Sequence, residues 1–286
     1  MKNKKLITVI IDQFSGKELL ATKDSIAAYW DSDNYVLKNK RGKYTLVYNG
    51  KIQKTPKDFK SLNNNPPIAS TIFTYNNGFF DSTGKKIESQ LIPRSNFYKG
   101  HCIVMEIIKE KQKFNYYGEA LPQHETRTLK IINEKFETVK TLPEITHILS
   151  HFNKYGQIIV EKSYEVPRSF SIENQYVIDY NGNEILPSTK SRNKIEEIYD
   201  GLYLDIDKTF ASERQKLNRT IFYNQKGEKI VPENILQQTS YLGLKESLNE
   251  NYLVCYGIVY VTLDKENNVI NSSTNKEYYN SKERYL

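Results

Sequence analysis

Four histidines, two cysteines and scattered carboxylates are what this 286-residue chain offers for chemistry, and their spacing decides which reactions are open to it. His147 and His151 stand four apart, a spacing that on a helix sets both imidazoles on one face, where zinc could be held. The Glu that a metalloprotease helix carries at position 148 is Ile148, and no Cys or third His accompanies the pair, so no metal is expected. His101 and Cys102 are neighbours in an apolar strand-like run and therefore point to opposite faces, which makes Cys102 a core residue rather than a nucleophile. No Ser sits in a Gly-flanked elbow and no Gly-rich phosphate loop is present. Asp31-Ser32-Asp33-Asn34 begins like a calcium loop but lacks its Gly and its distant Glu, and reads as a turn. Asp205 and Asp207 alternate with Leu204 and Ile206, with Tyr203 on their face. Strand rise sets such carboxylates about 6–7 Å apart, a separation compatible with general acid/base work on a glycan. An outward, solvated strand face accounts for them equally well. The chain is read as a non-enzyme without a cofactor.

Aromatic residues are the stronger signal. Twenty-two Tyr in 286 residues is a surplus, and Tyr29-Trp30, Phe79-Phe80, Tyr116-Tyr117 and Tyr278-Tyr279 occur as pairs. On a strand one member of each pair faces the core and the other faces outward, where Tyr and Trp serve as interface anchors. Trp30, the single Trp, lies in a loop-like stretch beside Asp31 and Asp33. Tyr29, Trp30, Asp31 and Asp33 form one candidate binding set, and Tyr203, Asp205 and Asp207 a second.

Elements that could position these residues are strands. A phrase of apolar alternation, a Gly or Asn turn and a second short apolar run recurs, as in Leu46-Val47-Tyr48-Asn49-Gly50-Lys51-Ile52 and Phe80-Asp81-Ser82-Thr83-Gly84-Lys85-Lys86-Ile87. The turn glycines Gly16, Gly50, Gly84 and Gly118 are 34 residues apart at each step, the mark of a repeat architecture. Eight hairpins are counted, with units regular over 6–121 and irregular, insertion-bearing over 122–286. Insertions are read at Ser163 to Asn174, Lys208 to Asn218 and Glu233 to Asn249, with short helices at Phe210 to Leu217 and Asn234 to Leu248. The fold class is all-β: tandem hairpin repeats in one domain over 1–286, a β-propeller of about 7–8 short units or, alternatively, an open array. Closure would remove exposed strand edges, with the strand Leu6 to Asp12 completing the last unit around Val259 to Leu263.

Composition agrees with a globular chain, 38% hydrophobic and 26% charged. The apolar start spans only six residues and ends at Asp12, short of a secretory signal, and no run approaches a membrane span. With two cysteines and no leader, a cytoplasmic protein without membrane contact is expected. The net charge of +7 is concentrated in residues 1–60, which hold 13 Lys/Arg and 6 Asp/Glu, against 28 and 28 in the remainder. Because Asp24, Asp31, Asp33 and Asp58 interrupt the basic residues, a solvated surface is the first reading, and nucleic-acid binding through this region is the alternative.

Gly84-Lys85-Lys86-Ile87, Leu91-Ile92-Pro93, Phe97, Gly100 and Ile103-Val104 follow one another in an order that returns from Gly182 through Ile185-Leu186-Pro187 to Tyr199-Asp200-Gly201 and Leu202 to Ile206. Gly227 to Pro232 fits as well. This order resembles the WG-repeat family, bacterial proteins built of tandem β units, across most of the chain. The family's Trp-Gly dipeptide is replaced by Asn77-Gly78 and Tyr256-Gly257. The resemblance implies an interaction scaffold without catalytic residues: a protein-binding repeat protein of the toxin-neutralising immunity or adaptor kind. A glycan-binding or glycan-cleaving propeller is the alternative from another class.

Overall fold

The computed structural model describes residues 7–11, 16–62, 65–120, 122–123, 125–164, 172–187, 193–199, 201–207, 220–230, 241–248, 251–256, 259–264, 266 and 268–273. Among them every regular element is a strand, and all strand-to-strand pairing is antiparallel. The chain packs as two compact units, Met1–Pro143 and Glu144–Leu286.

The first unit opens with a two-stranded ribbon, β1 (Thr8–Ile11) and β2 (Glu18–Thr22). Three meanders follow in chain order. The first is β3 (Ser25–Tyr29), β4 (Tyr35–Lys38), β5 (Tyr44–Tyr48) and β6 (Lys51–Ile52); the second is β7 (Ile72–Tyr75), β8 (Gly78–Asp81) and β9 (Lys86–Ile87). The third is β10 (Ile92–Pro93), β11 (His101–Lys109), β12 (Glu125–Asn133) and β13 (Thr138–Thr141). The second unit repeats the plan with β14 (His147–Ile148), β15 (Gln157–Tyr164), β16 (Ile172–Asp179) and β17 (Glu184–Leu186). Then come β18 (Asn193–Tyr199), β19 (Leu202–Asp207) and β20 (Thr220–Tyr223), and finally β21 (Tyr241–Leu248), β22 (Asn251–Tyr256), β23 (Val259–Leu263) and β24 (Val269–Ser273).

What repeats is a five-residue turn built on Asn or Asp. In Asn39–Lys43 the first residue's N–H donates to the fifth residue's carbonyl, and its Oδ1 accepts the N–H groups of Arg41 and Lys43. The same bonds close Asp81–Lys85, Asn115–Glu119, Asn133–Glu137, Asn153–Gln157, Asp179–Asn183, Asn224–Glu228 and Asp264–Asn268. An Asx side chain thus does the work of a second backbone turn. The fourth position takes positive φ, so it is Gly at most copies; at Asn133–Glu137 it is Phe136, at φ 65°. Phe136 is held there by packing, its ring edge-on to Phe79 at 4.9 Å. At Gly227 the constraint is double: φ is +76°, and a Cβ would lie 2.4 Å from the Ile185 carbonyl oxygen of the preceding sheet.

Consecutive sheets bury their faces against each other. Val36 and Leu46 of one sheet meet Phe73, Tyr75 and Phe80 of the next, and Phe59 and Leu62 join them. The other face of that second sheet sends Ile72 and Phe79 to Phe97, Cys102, Val104 and Ile132. Phe79 and Phe80 therefore both lie in cores, 1% and 0% exposed, where the sequence reading turned one of them outward. That alternation rule assumes one wet face, and this sheet is covered on both. In the second unit Ile159, Val177 and Leu186 pack on Ile195 and Tyr203.

Other expectations change as well. Gly118 lies inside the connection between β11 and β12, so the hairpins counted at 115–121 and 131–139 belong to one sheet, and the third equal step of 34 comes from an insertion rather than a unit. β1 pairs with β2, and β23 is flanked by β22 and β24, so among the described residues β23 offers no open edge for the strand expected over Leu6 to Asp12. The described part of the helix expected over Asn234 to Leu248 is strand β21, bulged twice against β22. Gly243 weakens a helix there, and Leu242 and Leu244 alternate as a strand requires. The helix expected at Phe210 to Leu217 and the pair Tyr278-Tyr279 lie outside the described residues. The insertions at 110–124, 165–171 and 208–219 occupy one topological position, the connection from second to third strand of a sheet.

Candidate functional site

The connection from β11 to β12 carries the most distinctive surface of the described residues. Both strands are nine residues long and stay in register from His101↔Asn133 to Lys109↔Glu125. Their inner halves are core, with Cys102, Ile103, Val104, Ile131 and Ile132 fully buried. Burial then falls away: Ile108 is 53% exposed and Lys109 is exposed, so the outer halves leave the sheet as an arm. Ion pairs of 3.3 Å for Lys109–Glu125 and 2.7 Å for Lys130–Glu106 run along it, the first at the solvated outer end and the second half-buried, each contributing ~0–1 kcal/mol. Gln123 donates to the Glu110 carbonyl at 2.7 Å and ties the two sides.

The arm ends in the Asn115–Glu119 turn, closed behind by the Phe114↔Ala120 bridge. Asn115 Oδ1 accepts the Tyr117 and Glu119 N–H groups at 2.9 Å each, and its Nδ2 donates to Glu119 Oε2 at 2.8 Å. On this pinned tip Phe114, Tyr116 and Tyr117 are 62%, 97% and 84% exposed. The two Tyr rings touch only edge to face, with centroids 5.6 Å apart. Covering three such rings removes several hundred Å² from water, on the order of 10 kcal/mol of gross transfer free energy before the entropy of association. A turn that holds its backbone fixed lowers the ordering cost of using that surface.

The sequence candidates fall elsewhere. Trp30 is half-buried and packs on the core cluster of Val36, Leu46 and Phe73 rather than standing free. Asp31 holds its own loop, its Oδ1 accepting from the Asp33 N–H at 2.8 Å and from Asn34 Nδ2 at 2.9 Å. Asn34 Oδ1 then accepts the Asn49 N–H at 3.0 Å, and the Gly50 N–H donates to the Asp33 carbonyl at 2.9 Å, so this loop is fastened to the next turn. Tyr29 precedes it; burial first, then the charge of Asp31, holds its hydroxyl pKa above the ordinary value.

Tyr203 is fully buried, and its hydroxyl donates to Gln157 Oε1 and accepts from Asn153 Nδ2, both at 2.9 Å. Asp205 Oδ1 accepts from Asn193 Nδ2 at 3.1 Å. Asn193 also forms a two-bond pair with the Gln175 backbone, at 2.8 and 2.9 Å, across from β18 to β16. Gln175 in turn donates to Glu161, whose Oε1 lies 3.1 Å from His147 Nδ1. Burial, reinforced by the charge of Asp205, raises the Tyr223 hydroxyl pKa. These acids and amides are bonded to one another across strands, and the arrangement joins two sheets. Asp207 ends β19; its side chain lies outside the described residues. His147 lies on β14 and His151 in the following loop, so no helix sets the two imidazoles on one face. A shallow groove of about 230 Å³ beside Tyr48, Asn49, Gln53 and Ser70 contains no carboxylate.

No protein-family model matches the chain, and no curated protein matches it. Among solved structures the chain is similar to apo AztD from Citrobacter koseri, at 9% identity and a TM-score of 0.28, over 90% of this chain and 64% of that one. It is also similar to a structure described as the eukaryotic initiation factor, at 10% identity and a TM-score of 0.28, over 87% of this chain and 73% of that one. The chain thus spans less than two thirds of the length of the AztD structure.

Proposed function

We propose that this is a non-enzymatic protein-binding β-repeat protein of the propeller kind, and that the arm between β11 and β12 is its docking element. Consecutive antiparallel meanders of three or four strands, with the three of the first unit packed in series and the first two of the second unit packed on each other, support the repeat scaffold. The observation that carries the function is the arm's tip: Phe114, Tyr116 and Tyr117 stand in water on a turn whose conformation Asn115 fixes. Aromatic anchors on a rigid projection suit insertion into a cleft of a partner protein. A toxin-neutralising or adaptor role is the form this takes in a bacterial β-repeat protein. The test is affinity purification from native lysate with the wild-type chain and with a Phe114→Ser, Tyr116→Ser, Tyr117→Ser variant. A stoichiometric protein retained by the first and lost by the second supports the proposal. Equal retention by both, or no protein partner at all, overturns it.

A further inference from the structure

Residues 34–57 contain seven cations, Lys38, Lys40, Arg41, Lys43, Lys51, Lys54 and Lys57, and no Asp or Glu. All seven are exposed, and among the described residues none is in an ion pair. Of the acids that interrupt the neighbouring sequence, Asp31 fastens its own loop and Asp58 pairs with Lys86 at 2.7 Å, while Asp33 sits at the Gly50 turn, at the far end of β4 and β5 from Asn39–Lys43. Four of the cations crowd one hairpin end. Lys38 closes β4, with its ammonium 5.3 Å from the Tyr44 ring centroid, and Lys40, Arg41 and Lys43 ride the turn between β4 and β5. Asn39 Oδ1 pins the Arg41 and Lys43 amides at 2.9 and 3.0 Å, so the backbone is fixed while the charged ends stand in solvent.

We infer that the Asn39–Lys43 hairpin end is a contact site for the phosphate backbone of a nucleic acid, with Lys38, Lys40, Arg41 and Lys43 neutralising neighbouring phosphates. An acidic protein is the less suitable occupant. Protein interfaces are depleted of Lys, and six of these seven cations are Lys. A single-sign stripe of Lys and Arg is instead the electrostatic footprint of polyphosphate binding. This surface is separate from the aromatic arm and does not depend on it.

The experiment is fluorescence anisotropy with a fluorescein-labelled 20-nucleotide RNA, its duplex form, and a labelled poly-glutamate of similar charge, each titrated at several KCl concentrations. Four phosphate contacts to a single strand give a slope of log K against log[KCl] near −3, so affinity falls about fifty-fold between 50 and 200 mM salt. The Lys40→Gln, Arg41→Gln, Lys43→Gln variant removes three contacts, and its affinity falls only about three-fold over the same range. Loss of the same charge elsewhere, in Lys85→Gln, Lys226→Gln, Lys229→Gln, leaves the wild-type slope. Should the triple variant lose its circular dichroism spectrum, Arg41→Gln alone should shift the slope by about 0.7. The single-strand and duplex arms decide which form is preferred, and binding of either supports the site. Absence of RNA binding at 50 mM KCl, an unchanged slope in the hairpin variants, or poly-glutamate binding as tightly as RNA overturns it.

Discussion

Replacing Asn153 with Ala should destabilise the second unit far more than the matching change at Asn115, although both residues start the same five-residue turn. Asn153 is 6% exposed and makes four side-chain hydrogen bonds. Its Oδ1 accepts the Tyr155 and Gln157 N–H groups at 2.9 and 3.1 Å, and its Nδ2 donates to Glu197 Oε1 at 2.6 Å and to the Tyr203 hydroxyl at 2.9 Å. At roughly 1 kcal/mol net for a neutral bond and somewhat more for the one to a carboxylate, with no water able to take their place, Asn153→Ala should cost about 4 kcal/mol. Asn115 holds its turn in the open arm, where water replaces the lost bonds, and Asn115→Ala should cost about 1 kcal/mol or less. Asn153→Asp keeps the two accepted bonds but sets a second carboxylate against Glu197, raising the pKa of the pair on folding. Its stability is therefore fully present below the unfolded carboxyl pKa and lost as pH rises through the folded one, whereas Asn153→Ala shows no such slope. Urea denaturation followed by far-UV circular dichroism at pH 4.5 and 7.5 reads all three variants. Equal destabilisation by Asn153→Ala and Asn115→Ala, or an Asn153→Asp variant indifferent to pH, would refute the reasoning.

Three further outcomes are expected. Gly227→Ala should cost about 3 kcal/mol, from positive φ plus a Cβ at 2.4 Å from the Ile185 oxygen, against about 1 kcal/mol for Gly42→Ala, where nothing lies within 4 Å; thermal melts compare them. Burial pushes the Cys102 thiol up to about 12, so in a Cys255→Ser background it should resist an aromatic disulfide reagent at pH 8 and react with one equivalent only in urea. Burial holds the His151 imidazole below its ordinary pKa of 6.5, and its Nδ1 has no hydrogen-bond partner among the described residues. The unfolded chain then takes that proton first, so stability is present above about pH 6.5 and declines below it; His151→Leu should show a flatter urea midpoint between pH 7.5 and 5.

The sequence showed the kind of fold more readily than its units. Apolar alternation and turn glycines identified strands, because positive φ is needed wherever Gly42, Gly84, Gly182 and Gly227 stand. The Asx residue three positions before each of them was the clearer marker, since it also identifies the turn at Asn133, where Phe136 replaces Gly. Equal glycine spacing misled at Gly118, because an insertion that ends in a turn mimics a repeat. Tyr116 and Tyr117 were visible as a pair, but their exposure depends on two strands outrunning their sheet, which is a matter of register and not of composition. Trp30 illustrates the converse: its loop-like flanks hid a residue that packs on Val36 and Leu46. The electrostatics of residues 34–57 needed geometry too, since only the pairing of Asp58 with Lys86 and the self-capping of Asp31 show those acids to be engaged elsewhere.

The most direct test of the docking role is a photo-crosslinking amino acid placed singly at Tyr116, at Tyr117 and, as a control, at exposed Ile52 on β6, with irradiation in native lysate. A discrete adduct of one mass at positions 116 and 117, absent at 52, is the predicted result. Adducts that are equal at all three positions, or absent at the tip, would contradict the account.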